Sequence, residues 1–475
     1  MRSKLAILVT LMGAQSAFAA VQGDVSNFKS PRGITESCIA VTKLPMGKYS
    51  SKDAEKEKEF CSMDFYNNTL ALCPKTWSTS PGTIIHDNKG TGKSSEAVEA
   101  TSCGKSSPLD SVAKFKTTMN QAGTSGTYSW SSILYYHFSR VLDATVDIPV
   151  AVYRTIDKDA HYKRVSSKAS PPSNAKMNIA GWGHMKNAEK NPTSLKPTAD
   201  LFTSDLEQIY GVILKDKGER YGVEVNGTRA SGWGKGQNMD IQKTPSFLAL
   251  KSSKPMEDAI EEGITQAFKD SAMAKGFGSV RPSQTQMALW MKEMSEMVIL
   301  DYIFSQQDRV GNIDYRWFWV YQDPSGKVNL QKADSEVGLL KKNSIKVPAE
   351  LATMNPILVQ KTSIGDNDAG GLANYANFTK TTGMLEGIRH INPDTYQRLY
   401  NLALDFEKQG PNYQVLANSF GLRADSFKQT IANTKLAATV LLKTCEAGQL
   451  RFDLVSYKAA YQKQFSEVPV KCRPN

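Results

Sequence analysis

Histidine is scarce in this chain, with five in 475 residues, and none sits in an H-E-x-x-H or in an H-x-E followed by C-x-x-C. That scarcity argues against a hydrolytic zinc centre, which needs ligands at fixed spacing. No G-x-S-x-G occurs either, so the nucleophile elbow of an α/β-hydrolase is excluded. The segment "NKGTGKSSEA" looks like a phosphate loop until its first position is checked: Asp87 stands where the motif requires glycine. After the first dozen residues no apolar run is long enough to span a bilayer, so no transmembrane anchor is expected.

The N-terminus has a recognisable pattern. Arg2 and Lys4 precede an apolar run from Leu5 to Met12, and Ala17-Phe18-Ala19 closes it. This reads as a secretory signal peptide over residues 1–19 and predicts an exported chain, periplasmic or secreted. The six cysteines fit that compartment, being even in number and lacking paired metal spacing. Cys445 is expected to bridge Cys472, and two further bridges are expected among Cys38, Cys61, Cys73 and Cys103, with their pairing open. The net charge of +11 permits anionic partners. The basic residues are dispersed and not interleaved with aromatics, so nucleic acid is not an expected partner.

Hydrophobic periodicity divides the chain. "LCPKTWSTSPGTIIHDN" predicts paired strands around Pro81-Gly82, and "SVAKFKTTM" alternates like a strand, with Lys114 and Lys116 facing opposite to Phe115. A helix with a short strand entered through Pro149 follows. Residues 158–283 read as an insertion carrying a hairpin near Lys217-Gly218 and the amphipathic helix "MEDAIEEGITQAF". From residue 284 a long apolar helix leads into "SQQDRVGN" and then into the strand "YRWFWVY". A turn at Asp323–Gly326 returns the chain as "KVNLQKA" towards Asp334. The remainder is helical.

The loop after the long helix places Asp308, Arg309 and Asn312 between two buried elements. A hairpin returning Asp334 beside them would gather two carboxylates and an amide, the set that orients a hydroxyl and holds a divalent cation against phosphates. The order "AKFK", "ILYYHFSRVLDATVDIPVAVYR", "DYIFSQQDRVGN", "LQKADSEVGL" resembles the atypical kinases of the secretory pathway, the Golgi casein kinase and xylosyl kinase family. More distantly it resembles HipA-type and phosphatidylinositol kinases.

The resemblance implies an α+β, two-lobed, protein-kinase-like fold, with an N-terminal extension and β-rich N-lobe (20–157), the insertion (158–283) and a mainly helical C-lobe (284–475). It implies ATP with Mg²⁺ or Mn²⁺ as cofactors, and transfer of the γ-phosphoryl group to a protein or glycan hydroxyl. Lys116 would bind phosphate, Asp308 would be the base, Asn312 and Asp334 would be metal ligands, and Ala151, Val152 and Arg154 would lie in the hinge that meets adenine. Ser132 stands where the family's helix offers a Glu to the lysine, and Asn312 follows Asp308 at an interval one residue short. A pseudokinase binding module and nucleotidyl transfer on the same fold are the alternative readings.

Overall fold

The structure is a computed structural model that describes residues 20–215, 218–277, 281–333 and 345–473. Residues 1–19, which carry the expected signal peptide, fall outside them, as does Asp334. Among the described residues no helix is long and apolar enough to cross a membrane.

The N-terminal half is built on an antiparallel sheet. Its strands are β1 (Gly23–Lys29), β2 (Thr35–Val41), β3 (Leu70–Pro74), β4 (Gly82–Asp87), β5 (Ser111–Thr117), β6 (Ala151–Asp157) and β7 (Gln208–Leu214). They lie in the order β1-β2-β6-β7-β5-β4-β3. The predicted pairing around Pro81-Gly82 is the β3–β4 hairpin, in register from Leu70 opposite Asp87 to Pro74 opposite Thr83. The helix Ser129–Val141 packs on β6 and β7 with nearly every residue buried.

The C-terminal half is mainly helical. Its central helix, Gln284–Phe304, buries every residue from Gln286 onward except Lys292, so it forms the axis around which other helices pack. Ser283 caps its start through Gln286 N–H. Ser305, left-handed at φ 51°, ends it and turns the chain into the Asp308 loop, its hydroxyl accepting from Gln429 at 3.1 Å. A small sheet follows: β8 (Glu219–Arg220), β9 (Ile313–Gln322), β10 (Val328–Lys332) and β11 (Ile357–Ile364). β9 alternates buried and half-buried residues from Ile313 to Trp319 because successive side chains point to opposite faces, and β10 and β11 pair with its two edges.

Two expectations are corrected here. The strands read as a hairpin near Lys217-Gly218 do not pair with each other. β7 has both edges occupied by β5 and β6 at the centre of the large sheet, while β8 pairs with β9. The 158–283 stretch is therefore not one insertion, since it supplies a central strand of the N-terminal half. The helix Met256–Ala267 does form there as expected.

Three disulfides are present: Cys38–Cys61, Cys73–Cys103 and the expected Cys445–Cys472, with Cα separations of 5.2, 5.3 and 5.6 Å.

The central helix carries an acid with a measurable consequence. Glu293 accepts Thr362 N–H at 3.1 Å through Oε2, and its buried Oε1 has no partner among the described residues. Burial pushes its carboxyl up to about 8 from 4.5. A raised pKa means that stability is fully present below the unfolded value and is lost as pH rises towards the folded one. Glu293→Gln should therefore have little effect near pH 4 and gain over wild type with rising pH, by roughly a few kcal/mol at pH 8. Parallel melting-temperature curves for the two proteins between pH 4 and pH 8 would refute this.

Candidate functional site

The cleft is assembled by three short segments that converge between the halves. β5 delivers Lys116, whose side chain is only 6 % exposed. The Ser305 turn delivers Asp308 and Asn312. The third segment, Gly365–Gly371, follows β11 and was not anticipated from the sequence. It carries Asp366 and Asp368, and Lys116 Nζ donates to both, at 2.8 and 2.6 Å.

Register explains why β11 completes the site. Its last residue, Ile364, pairs with Ile313, the first residue of β9, so the chain comes back directly beside the Asp308–Asn312 loop. β10 turns back earlier. Lys332 pairs with Phe318, and Ala333 N–H donates to Trp317 O, further along β9. The β9–β10 hairpin forms as expected, and its described part ends at Ala333, beside Trp317. The acids that the structure places beside Lys116 are Asp366 and Asp368, and Asp334 lies outside the described residues.

Arg309 locks the two loops together. It is fully buried, donating through Nε and Nη2 to Asp301 at 3.0 to 3.2 Å, through Nη1 to Gly365 O at 2.8 Å, and through Nη2 to Asn367 Oδ1 at 2.7 Å. Tyr135, from the Ser129–Val141 helix, donates to the same Asp301 at 2.6 Å and lies under the guanidinium. Backbone bonds add to this: Gln307 N–H to Ala369 O, Gly371 N–H to Phe304 O and Tyr128 N–H to Asp368 O. One planar cation thus fixes the Asp308 loop, the Asp366 turn and the central helix in one frame.

The electrostatics differ sharply between the acids. The Lys116 ammonium holds the Asp366 carboxyl well below the usual carboxylate range. Burial raises Asp308 instead. Asp308 Oδ1 accepts the Trp233 indole N–H at 3.2 Å, and Asn312 Nδ2 donates to the Asp308 carbonyl at 2.7 Å. Arg220 donates to Asn312 Oδ1 at 3.0 Å, so the amide oxygen faces a guanidinium.

Ser132 has a buried hydroxyl with no partner among the described residues, and Lys116 takes its carboxylates from the turn after β11 and not from the helix. The residues expected in the hinge lie within the large sheet and are not among those lining the cavity described below. Ala151, Val152 and Arg154 are buried in β6, whose edges pair with β2 and β7. Arg154 has no exposed side-chain area, bonds Glu36 at 3.1 Å and stacks between Phe28 and Phe65. It is a structural ion pair, away from the cleft residues. The chain leaves the large sheet one strand later, after Leu214 of β7.

Lys116, Asp308, Asn312, Asp366 and Asp368 line one cavity of ≈ 460 Å³. Ser78, Thr79 and Ser80 from the β3–β4 turn form a further wall, and Ser125, Gly126 and Thr127 also line the cavity. That wall is braced by the helix Lys176–Lys190: Asn178 Nδ2 donates to Thr76 O at 2.9 Å, and Gly181 packs so closely on Pro81 that a Cβ there would sit 2.9 Å from the ring.

No family profile and no curated protein matches this sequence. Among solved structures, the chain is similar to a crystal structure of the Golgi casein kinase with Mn/ADP bound. They share 11% identity and a TM-score of 0.40, over 83% of this chain and 77% of that one. A second crystal structure of the Golgi casein kinase gives 9% identity and a TM-score of 0.37, over 80% and 74%. The mixed α+β architecture, an antiparallel β-sheet half joined to a helical half, rests on this chain's own strands and helices.

Proposed function

We propose that this chain binds a metal-nucleotide complex in the cleft and transfers the γ-phosphoryl group of ATP to a hydroxyl of a protein or glycan, in an exported setting. The observation that carries the reading is Lys116 held at 2.8 and 2.6 Å by Asp366 and Asp368, in the same cavity as Asp308. Phosphoryl transfer requires such a set, with a cation for the phosphates, acids for the divalent metal and a separate acid for the acceptor.

The residues fit Mn²⁺ or Mg²⁺. Asp368 Oδ2 is buried and lacks a partner among the described residues, so an oxygen is left for a cation to use. Asp366 and Asp368 would hold the metal, with Asn312 at the rim. Lys116 would donate to phosphate oxygens. The bound metal would supply charge neutralisation at the phosphates. Asp308 would accept the hydrogen bond of the acceptor hydroxyl and orient it. Its half-buried position suits that role, since burial brings a carboxyl closer to the pH at which it can take a proton.

Saturating MnATP at about 100 times its dissociation constant should stabilise the oxidised protein by roughly 2.7 kcal/mol. Asp366→Asn should abolish that gain, because it removes an acid facing both Lys116 and the metal. An equal gain in wild type and variant would exclude Asp366 from the nucleotide site, and no gain in either would remove the nucleotide reading. Stabilisation without turnover, tested with radiolabelled ATP and acceptor proteins, would favour the pseudokinase. A nucleotide mass added to the product, in place of phosphate, would favour nucleotidyl transfer.

A further inference from the structure

Trp233 is the most exposed large apolar side chain of the cleft, at 63 % of its surface. It stands in "SGWGKG", between Gly232 and Gly234, whose φ values of +80° and +77° are left-handed. A Cβ at Gly234 would meet the Phe378 ring at 3.0 Å, so glycine there allows the indole to pack edge-on against Phe378, with centroids 5.3 Å apart. Ser231 anchors the loop to Asp240 through its N–H at 2.8 Å and its hydroxyl at 2.9 Å. The loop therefore holds a large, wet aromatic ring at Asp308, although burying it elsewhere would be favourable.

The indole N–H bonds Asp308 Oδ1 at 3.2 Å and so occupies one oxygen of the carboxylate proposed to receive the acceptor hydroxyl. Met177, 49 % exposed, lines the same cavity from the Lys176–Lys190 helix. We propose, resting on the phosphotransfer reading, that Trp233 shields Asp308 from water until an acceptor displaces it, and that Trp233 and Met177 select a hydroxyl borne beside an apolar face. Without the shield, water becomes the acceptor. Its oxygen bonds the γ-phosphorus as the bond to the β–γ bridging oxygen breaks, ADP leaves with that electron pair, and the water proton passes to Asp308 and then to solvent.

The test is MnATP hydrolysis without acceptor, in wild type, Trp233→Ala and Trp233→Phe, alongside labelling of Asp308 by a water-soluble carbodiimide with glycine ethyl ester, read by peptide mass spectrometry. Trp233→Ala should raise hydrolysis roughly fivefold or more while MnATP still stabilises the fold, and should label Asp308 faster. Trp233→Phe, which keeps a ring but no N–H, should stay near wild type in both. Unchanged hydrolysis in Trp233→Ala with MnATP bound overturns the proposal. An equal gain in Trp233→Phe also overturns it, since the lost hydrogen bond would then be responsible. If MnATP stabilises no variant, the phosphotransfer reading itself has failed. The carbodiimide arm needs no nucleotide, and equal labelling in all three proteins rejects the shield on its own.

Discussion

Asp308→Asn should lower phosphoryl transfer by about 10²–10⁴-fold while leaving MnATP stabilisation intact. The substitution keeps the side chain's size and its capacity to accept from Trp233, so the loop geometry is retained. What disappears is the carboxylate that, on the proposed reading, receives the acceptor's proton. The lysine and its two acids belong to other segments, β5 and the turn after β11, and neither depends on the Asp308 side chain. A variant that transfers phosphate at the wild-type rate would exclude Asp308 as the acceptor-orienting base. One that fails to bind MnATP would place the residue on the nucleotide side of the cleft. Comparing initial transfer rates with thermal stabilisation separates these outcomes on a single preparation.

Arg309→Met is expected to lower stability by about 3–5 kcal/mol, because it leaves the Asp301 carboxylate buried without its cation. Tyr135 still donates to Asp301 at 2.6 Å, but one hydroxyl, which brings no positive charge, does not replace a two-pronged guanidinium. The same change frees Gly365 O and Asn367 Oδ1, the two groups that set the Asp366 turn. MnATP should then stabilise Arg309→Met less than wild type, although Arg309 lines no part of the cavity. Urea unfolding with and without MnATP gives both quantities. A variant within about 1 kcal/mol of wild type would mean that the buried pair is a weak link and that the turn is held by its backbone bonds.

Much of this cleft was legible in the sequence. Alternation in "SVAKFKTTM" placed Lys116 on a strand, and the polar run "SQQDRVGN" between two apolar elements marked the Asp308 loop. The second acid pair escaped for a physical reason. Asp323-Pro324-Ser325-Gly326 is a strong local turn, and it really does form the β9–β10 hairpin, so Asp334 is the nearest acid to look for. β11 pairs with the opposite edge of β9 from far along the chain, and long-range pairing leaves no local signature. The available clue was "SIGDNDAGG", a strand-like run ending in two acids bracketed by glycines. The strand that leaves the large sheet is obscured for a related reason. β7 reads as half of a hairpin because Gly218 follows it, yet both its edges are taken within the large sheet. Arg154 shows the cost of carrying a motif over by position, since its burial against Glu36 follows from packing that only the tertiary fold specifies.

The bridges join cysteines strictly in the order in which they occur along the chain, first with second, third with fourth and fifth with sixth, at separations of 23, 30 and 27 residues. Six cysteines allow 15 arrangements, and this one needs no memory of earlier thiols. A polypeptide threading out of a pore into an oxidising space would make each native bond simply by joining every new thiol to the one left waiting. Oxidation in that sequence would need no isomerase to undo a wrong choice.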